Sequence, residues 1–381
     1  MPRVFPLVAA VLIVDTAFFA AIVPLLPHYV DDLGISQTEA GILTASYAAG
    51  TLVGAIPAGM LVGRIGARRG LLIGLGSLGV SSVVFGLAQE SWLLESARFA
   101  QGLGGACTWA AAFGWLLGDS SPERRGELIG AAVAAAIGGV MLGPILGAAA
   151  VELGEEWVFS GVAVAAAGLA VWALRVPAPV IMGSGLSGLL RARRGPMFLA
   201  ALWLVTLPAA FTGAIEVLLP LRLDELGAGA IAIGAVFLVA AAFEGVLSPV
   251  VGRVSDRRGR MAPIRVGLAA AAAIGVLLPL IGDLTLMLAA TVAIVAALAM
   301  FWAPAMAMLS DASEAVGLDP GLAAALMNLT WAGGQVIGGI IGGGVGDVAG
   351  DGVAYGLLVA ACLVTLVLAL FRRREGLAAE A

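Results

Sequence analysis

The chain has 381 residues, 61% hydrophobic and 12% charged, with a mean hydropathy of +1.06. An ordinary soluble domain is about half apolar and a quarter charged, so a water-soluble fold cannot hide this much apolar surface and the bilayer must be the solvent. The net charge of −5 says less than its layout: lysine is absent, and the 20 strongly basic residues are all arginine.

Taken in chain order, apolar runs bounded by charges, Gly or Pro predict helices at 4–27, 40–62, 71–89, 92–117, 127–150, 157–174, 197–221, 231–251, 263–281, 285–309, 321–346 and 353–371. The first run follows Arg3 as a secretory signal would, but it is too long for one and carries Asp15 in its middle, so it reads as a retained helix. The connection from Arg175 to Pro196, rich in Gly, Ser and Arg, divides the chain near its middle. The expected fold is an all-α membrane protein of twelve transmembrane helices in two pseudo-symmetric six-helix bundles. They span 1–175 and 197–381, with a cytoplasmic linker at 176–196.

Arginines gather at Arg64, Arg68 and Arg69, at Arg124 and Arg125, at Arg175, Arg191, Arg193 and Arg194, between Arg253 and Arg265, and at Arg372 to Arg374. With twelve spans, every cluster falls on one side. The opposite loops hold Asp31, Asp32, Glu90, Glu152, Glu155, Glu156, Asp224, Glu225, Asp283, Asp347 and Asp351, with Arg222 the one basic exception. By the positive-inside bias both termini and the linker are cytoplasmic, which points to a multi-pass protein of the inner membrane.

The two halves align in sequence 193 residues apart, beginning with Leu25-Leu26-Pro27 against Leu218-Leu219-Pro220. Gly41 then meets Gly234, Gly59 meets Gly252, Arg64 meets Arg257 and Gly66 meets Gly259. At slightly different offsets Asp119 meets Asp311, and Gly143 and Gly147 meet Gly338 and Gly342. Two parallel six-helix repeats with a substrate site near the midplane are an arrangement used for alternating access, in which the halves rock about the site. Membrane enzymes and channels have no comparable need for two rocking lobes.

The loop after the second span, Gly59-Met-Leu-Val-Gly63-Arg64-Ile-Gly66-Ala-Arg68-Arg69, has a second copy in Gly252-Arg-Val-Ser-Asp256-Arg257-Arg258-Gly259-Arg260. The fifth span carries Gly130, Gly139, Gly143-Pro144 and Gly147, and the fourth carries Arg98-Phe-Ala-Gln101-Gly102. Glycines at helical spacing let helices approach closely, and Pro144 removes a backbone hydrogen bond. Over nearly the whole chain these segments resemble motifs A, C and B of the major facilitator superfamily, and of its drug:proton antiporter branch in particular. Gly63 stands where the first copy of motif A usually has an acid, and Ala148 where motif C usually ends in Gly. The first span, Asp15 followed by Pro24 and Pro27, and the seventh, Glu216 followed by Pro220, are similar to the vesicular monoamine transporters. Asn328 and Ala299 stand where that group has further acids, so its amine specificity and proton stoichiometry do not carry over.

Asp15, Arg98, Glu216 and Glu244 lie well within predicted spans, and an ionisable residue at that depth is a functional candidate by default. A carboxyl group there can hold a proton and release it when the cavity wets or a cation arrives. Asp15 is therefore expected to meet the positive end of a substrate. Glu216 and Glu244 are expected to serve substrate contact or protonation, and Arg98 to shape the field. A bland alternative is that Glu95 and Arg98, three residues apart on one helix, simply neutralise each other. Asn328 and Gln335 add hydrogen-bonding groups, and Phe19, Tyr47, Trp109, Phe113, Trp302 and Trp331 add aromatic faces able to line a cavity and accept a cation. The glycines of the eleventh span, Gly333 to Gly344, read as close packing or bending.

No phosphate-binding loop, nucleophile elbow or His/Cys cluster is present in the sequence, so neither enzymatic catalysis nor a cofactor or metal is expected. Cys107 and Cys362 read as small core residues, His28 as interfacial, and the arginines as topology signals rather than a nucleic-acid surface. The expected partners are a small-molecule substrate, protons and the lipid bilayer, with the chain acting as a monomer. The leading expectation is export of small amphiphilic cations in exchange for protons. The alternative is proton-coupled movement of a neutral metabolite such as a sugar.

Overall fold

The computed structural model describes residues 4–118, 125–178, 196–315 and 320–379. Most of the 176–196 linker lies outside the described residues, as do Asp119, Arg124, Arg191, Arg193 and Arg194. The described residues are helices joined by short turns, and no strand occurs among them.

Among the described residues, twelve helical units follow the predicted order. The first, α1, comprises Phe5–Ala20 and Ile22–Leu33, broken at Ala21. Pro24 lacks an N–H, and its ring crowds the carbonyl four residues earlier, so the break falls where proline chemistry puts it. Then come α2 (Gln37–Ile65), α3 (Ala67–Leu87), α4 (Ser91–Gly118), α5 (Arg125–Leu153) and α6 (Glu155–Arg175). The second half holds α7 (Pro196–Glu225), α8 (Ala230–Arg258), α9 (Met261–Leu277, closed by a 3₁₀ turn), α10 (Leu284–Ala315), α11 (Pro320–Gly339) and α12 (Asp351–Ala379). Beyond Gly339, α11 continues through a π turn at Ile340–Val345 and a last turn at Gly346–Ala349. Most helix ends lie a few residues outside the predicted runs, while α3 and α9 stop short of theirs. At α2 the Ser36 hydroxyl accepts the Glu39 N–H, and the Glu39 carboxylate accepts the Ser36 N–H at 2.8 Å, a reciprocal capping box.

Ten units are long and apolar enough by themselves to cross a membrane. The other two, α4 and α11, carry Arg98, Gln101, Asn328 and Gln335 among many glycines. Large apolar side chains face outward around the bundle, Val80, Trp157, Val164, Val246 and Leu280 among them, as a lipid-solvated surface requires.

The repeat is visible in the backbone. Gly34 and Gly227 both have positive φ, as do Gly66 and Gly259, each pair 193 residues apart, so the same left-handed turns recur in both halves where only glycine fits without strain. Helix partners recur too. The pairings α1 with α5, α2 with α4, α3 with α4 and α3 with α6 reappear as α7 with α11, α8 with α10, α9 with α10 and α9 with α12. The halves meet mainly through two equivalent crossings, α2 with α11 and α5 with α8.

Candidate functional site

Arg98 on α4 is the most deeply placed base, 1% exposed. A buried guanidinium costs several kcal/mol in effective desolvation unless its donors are met. The break in α1 helps to meet them, because the carbonyls of Phe18 and Phe19 just before it accept from the two terminal nitrogens at 3.3 and 3.0 Å. Gln101, one turn along α4, accepts a third bond at 3.0 Å. The guanidinium also lies 5.6 Å from the Phe19 ring centre and 5.5 Å from that of Tyr47. Glu95 does not pair with it, so the two do not neutralise each other by direct contact.

Asp15 on α1 is wholly enclosed. Its Oδ2 accepts from Trp109 Nε1 at 3.0 Å and from the Tyr47 hydroxyl at 3.3 Å, while Oδ1 is buried without a partner. Direct contact with a substrate, as expected from sequence, is therefore not available in this conformation: Tyr47 and Trp109 stand in the way. Trp109 in turn packs on Phe113, with ring centres 5.7 Å apart.

Glu216 on α7 is partly exposed and accepts a long bond, 3.4 Å, from Gln335 Nε2 on α11. The Arg98 charge acts on Glu216 as well as on Asp15, so one cation lies in the field of an acid from each half. Glu244 on α8 is half-buried; its backbone carbonyl accepts from the Ser248 hydroxyl, its carboxyl makes no hydrogen bond or ion pair with the described residues, and its charge opposes that of Glu216. Trp331 of α11 bridges the halves, its ring 5.5 Å from Phe19 and 6.5 Å from Tyr47. The structure thus brings together Asp15, Arg98, Tyr47, Phe19, Trp109 and Trp331, with Glu216 and Gln335 across from them. Asn328 and Trp302 are half-buried on α11 and α10 and make none of these contacts.

The motif segments serve packing. Side chains built at Gly139, Gly143 and Gly147 would overlap Thr16 and Ile13, Ala20, and the Ala21 carbonyl, so α5 presses directly on α1. Gly334, Gly338 and Gly342 press α11 on α7 in the same way, whereas nothing lies near Gly130. In the motif A loops Gly59, Arg64, Asp256 and Arg257 are exposed and none of the three charged residues is ion-paired among the described residues, while Gly252 is half-buried. Arg68 donates to the Val176 carbonyl just past α6, capping that helix, and lies over the Trp115 ring. In the second half Arg260 pairs with Asp311 at 2.6 Å, and Arg265 bonds the Ala369 carbonyl on α12 at 2.9 Å.

Sequence reasoning placed His28 at an interface but missed its partners: its Nε2 lies 3.3 Å from Glu155 and 3.5 Å from Asp32, and Tyr29 donates to Glu155 at 2.8 Å. His28 and Glu155, with Gln89 and Glu156, wall a cavity of about 500 Å³ at the acid-rich end. It missed Thr16 too, whose hydroxyl joins α1 to the Ala136 carbonyl of α5 at 2.8 Å. A hydroxyl beside a glycine-striped helix was the available signal.

Among known proteins, an uncharacterized MFS-type transporter of Mycobacterium tuberculosis is 29% identical over 40% of this chain and 27% of its own length. A probable multidrug-efflux transporter of the same organism is 28% identical over 43% of this chain and 34% of its own length. The chain thus spans about a third or less of the length of these curated relatives. A solved POT family transporter in complex with 5-aminolevulinic acid superimposes with a TM-score of 0.79, covering 97% of this chain and 96% of that one at 14% identity, a likeness of fold alone. The family description Major Facilitator Superfamily matches residues 8–318. With that match over most of its length and with this fold, the chain belongs to the Major Facilitator Superfamily.

Proposed function

We propose that this transporter exports small amphiphilic cations in exchange for protons by alternating access, as a monomer of the inner membrane with both termini in the cytoplasm. One observation carries the reading: Asp15 and Glu216, on the equivalent leading helices of the two halves, both lie in the field of the buried Arg98, Asp15 joined to it through Tyr47 and Glu216 held by Gln335. Two carboxyl groups against one base leave a negative charge that either a proton or a cation can neutralise, and Glu244 adds a third acid. The distant similarity to a probable multidrug-efflux transporter supports amphiphilic substrates, and the arginine side of the bundle supports the orientation.

Exposure suggests a division of labour. Glu216, less enclosed than Asp15 and steadied by Gln335, meets the positive group of the substrate, with Trp331 and Phe19 offering ring surface and Glu244, Asn328 and Trp302 further along the wall. Asp15, shut in by Tyr47 and Trp109, admits only a proton.

Purified protein in liposomes under an imposed pH gradient tests this, with a panel of cationic and neutral compounds. Cations should drive proton release. Asp15→Asn should abolish that coupling yet leave substrate affinity within about threefold, whereas Glu216→Gln should weaken affinity by roughly tenfold or more, the worth of one partly solvated charge contact. Equal transport of neutral compounds with no loss of affinity in Glu216→Gln would sink the proposal.

A further inference from the structure

At the acid-rich end the two crossings between the halves are built differently. The α5–α8 crossing is packed on apolar groups and backbone, with no side-chain hydrogen bond across it among the described residues: a side chain at Gly234 would press on the Pro144 carbonyl and the Ala148 methyl group. The α2–α11 crossing is as close, Gly41 lying against Gly339 and Gly343, but polar groups are added to it.

The π turn makes the first of these possible. It directs the Gly346 N–H to the carbonyls of Ile341 and Gly343, so the Gly342 carbonyl, which an α-helical turn would pair with that N–H, is left for another donor. Gln37 of α2 supplies it, Nε2 donating to the Gly342 carbonyl at 3.0 Å and to Asp351 Oδ1 at 2.9 Å. The next residue, Thr38, donates its hydroxyl to Asp347 Oδ2 at 2.6 Å. Every one of these bonds joins one half to the other. The positions 193 residues further on are Ala230 and Ile231, which have no side-chain donor, so the repeat does not provide an equivalent set at the second crossing.

We propose that Gln37 and Thr38 are a latch. Their bonds to Gly342, Asp347 and Asp351 hold the acid-rich end shut along α2–α11 and break each time the halves rock open, while the α5–α8 crossing parts without a matching set of bonds. Bonds to carboxylates are the stronger kind, and exchanging them for water on opening biases the resting protein toward the closed end. The inference depends on the fold and not on what is carried.

The test needs no substrate. Leu153 and Val348, 69% and 87% exposed at the acid-rich end of α5 and α11, are replaced by cysteine and spin-labelled in the full chain, with Cys107→Ala and Cys362→Ala. Double electron–electron resonance in liposomes then reads the separation of the two halves. Gln37→Leu and, separately, Thr38→Val should each raise the widely separated population roughly tenfold, as loss of a charge-assisted bond implies. Ile42→Ala, on the same helix but 47% exposed on its outer face, should leave it unchanged. Thr38→Val combined with Asp347→Ala should do no more than Asp347→Ala alone, since Asp347 accepts both the Thr38 hydroxyl and, at 3.4 Å, the Thr38 N–H. Where Gln37→Leu fails to fold, the Thr38 and Asp347 pair decides. Unchanged distances in the latch variants, or an additive double variant, would overturn the proposal.

Discussion

Arg98 shows how one residue can organise a site without touching a partner of opposite charge. Its two terminal nitrogens donate to two backbone carbonyls and Gln101, Nε has no partner among the described residues, and its face lies against two rings. Because removing one member of a buried charged network strands the others, Arg98→Leu should lower stability by about 3–5 kcal/mol. Thermal unfolding in detergent would show this as a clear drop in melting temperature, and an unchanged melt would contradict it. Tyr47→Phe removes only one of two donors to Asp15, so a loss nearer 1 kcal/mol is expected there. The identity of these residues was readable in sequence, since a charge in an apolar run stands out. Their partners were not, because Phe18, Phe19, Tyr47 and Trp109 come from three helices and only their packing places them around Asp15 and Arg98.

At the scale of helices, glycine position separates contact from decoration. Gly143 and Gly147 have α1 where a side chain would go, and Gly338 has α7, so Gly147→Leu or Gly338→Leu should force the helices apart at a cost of about 3 kcal/mol or more. Gly130 has open space around it, and Gly130→Ala should raise stability by up to about 1 kcal/mol through helix propensity alone. Melting curves of the variants check both signs, and a destabilised Gly130→Ala would show that the spacing carries something other than packing. The glycine stripe announced close approach, but not which neighbour approaches, nor that α11 departs from α-helical winding. The reason for the departure is a count: Gly147 and Gly154 are seven residues apart and their counterparts Gly342 and Gly350 eight, and a π turn is how a helix absorbs one extra residue.

For the whole molecule, the two crossings close the halves on one another at the acid-rich end, and the central acids lie inside. If the arginine-rich side faces the cytoplasm, a membrane-impermeant maleimide added outside intact cells should label Leu153→Cys but not Arg64→Cys, and inverted vesicles should reverse the pattern. The opposite result would invert the proposed topology and with it the direction of export.

Helix number, the repeat and the sidedness of charge follow from one-dimensional properties: apolar run length against bilayer thickness, and arginine placement against the positive-inside bias. These are local or additive, so a linear reading recovers them. The enclosure of Asp15, the bond from Gln335 to Glu216, the support of Arg98 by a broken helix and the unequal crossings between the halves depend on which surfaces meet. That choice rests on close packing among residues tens to hundreds of positions apart, and only the folded arrangement settles it.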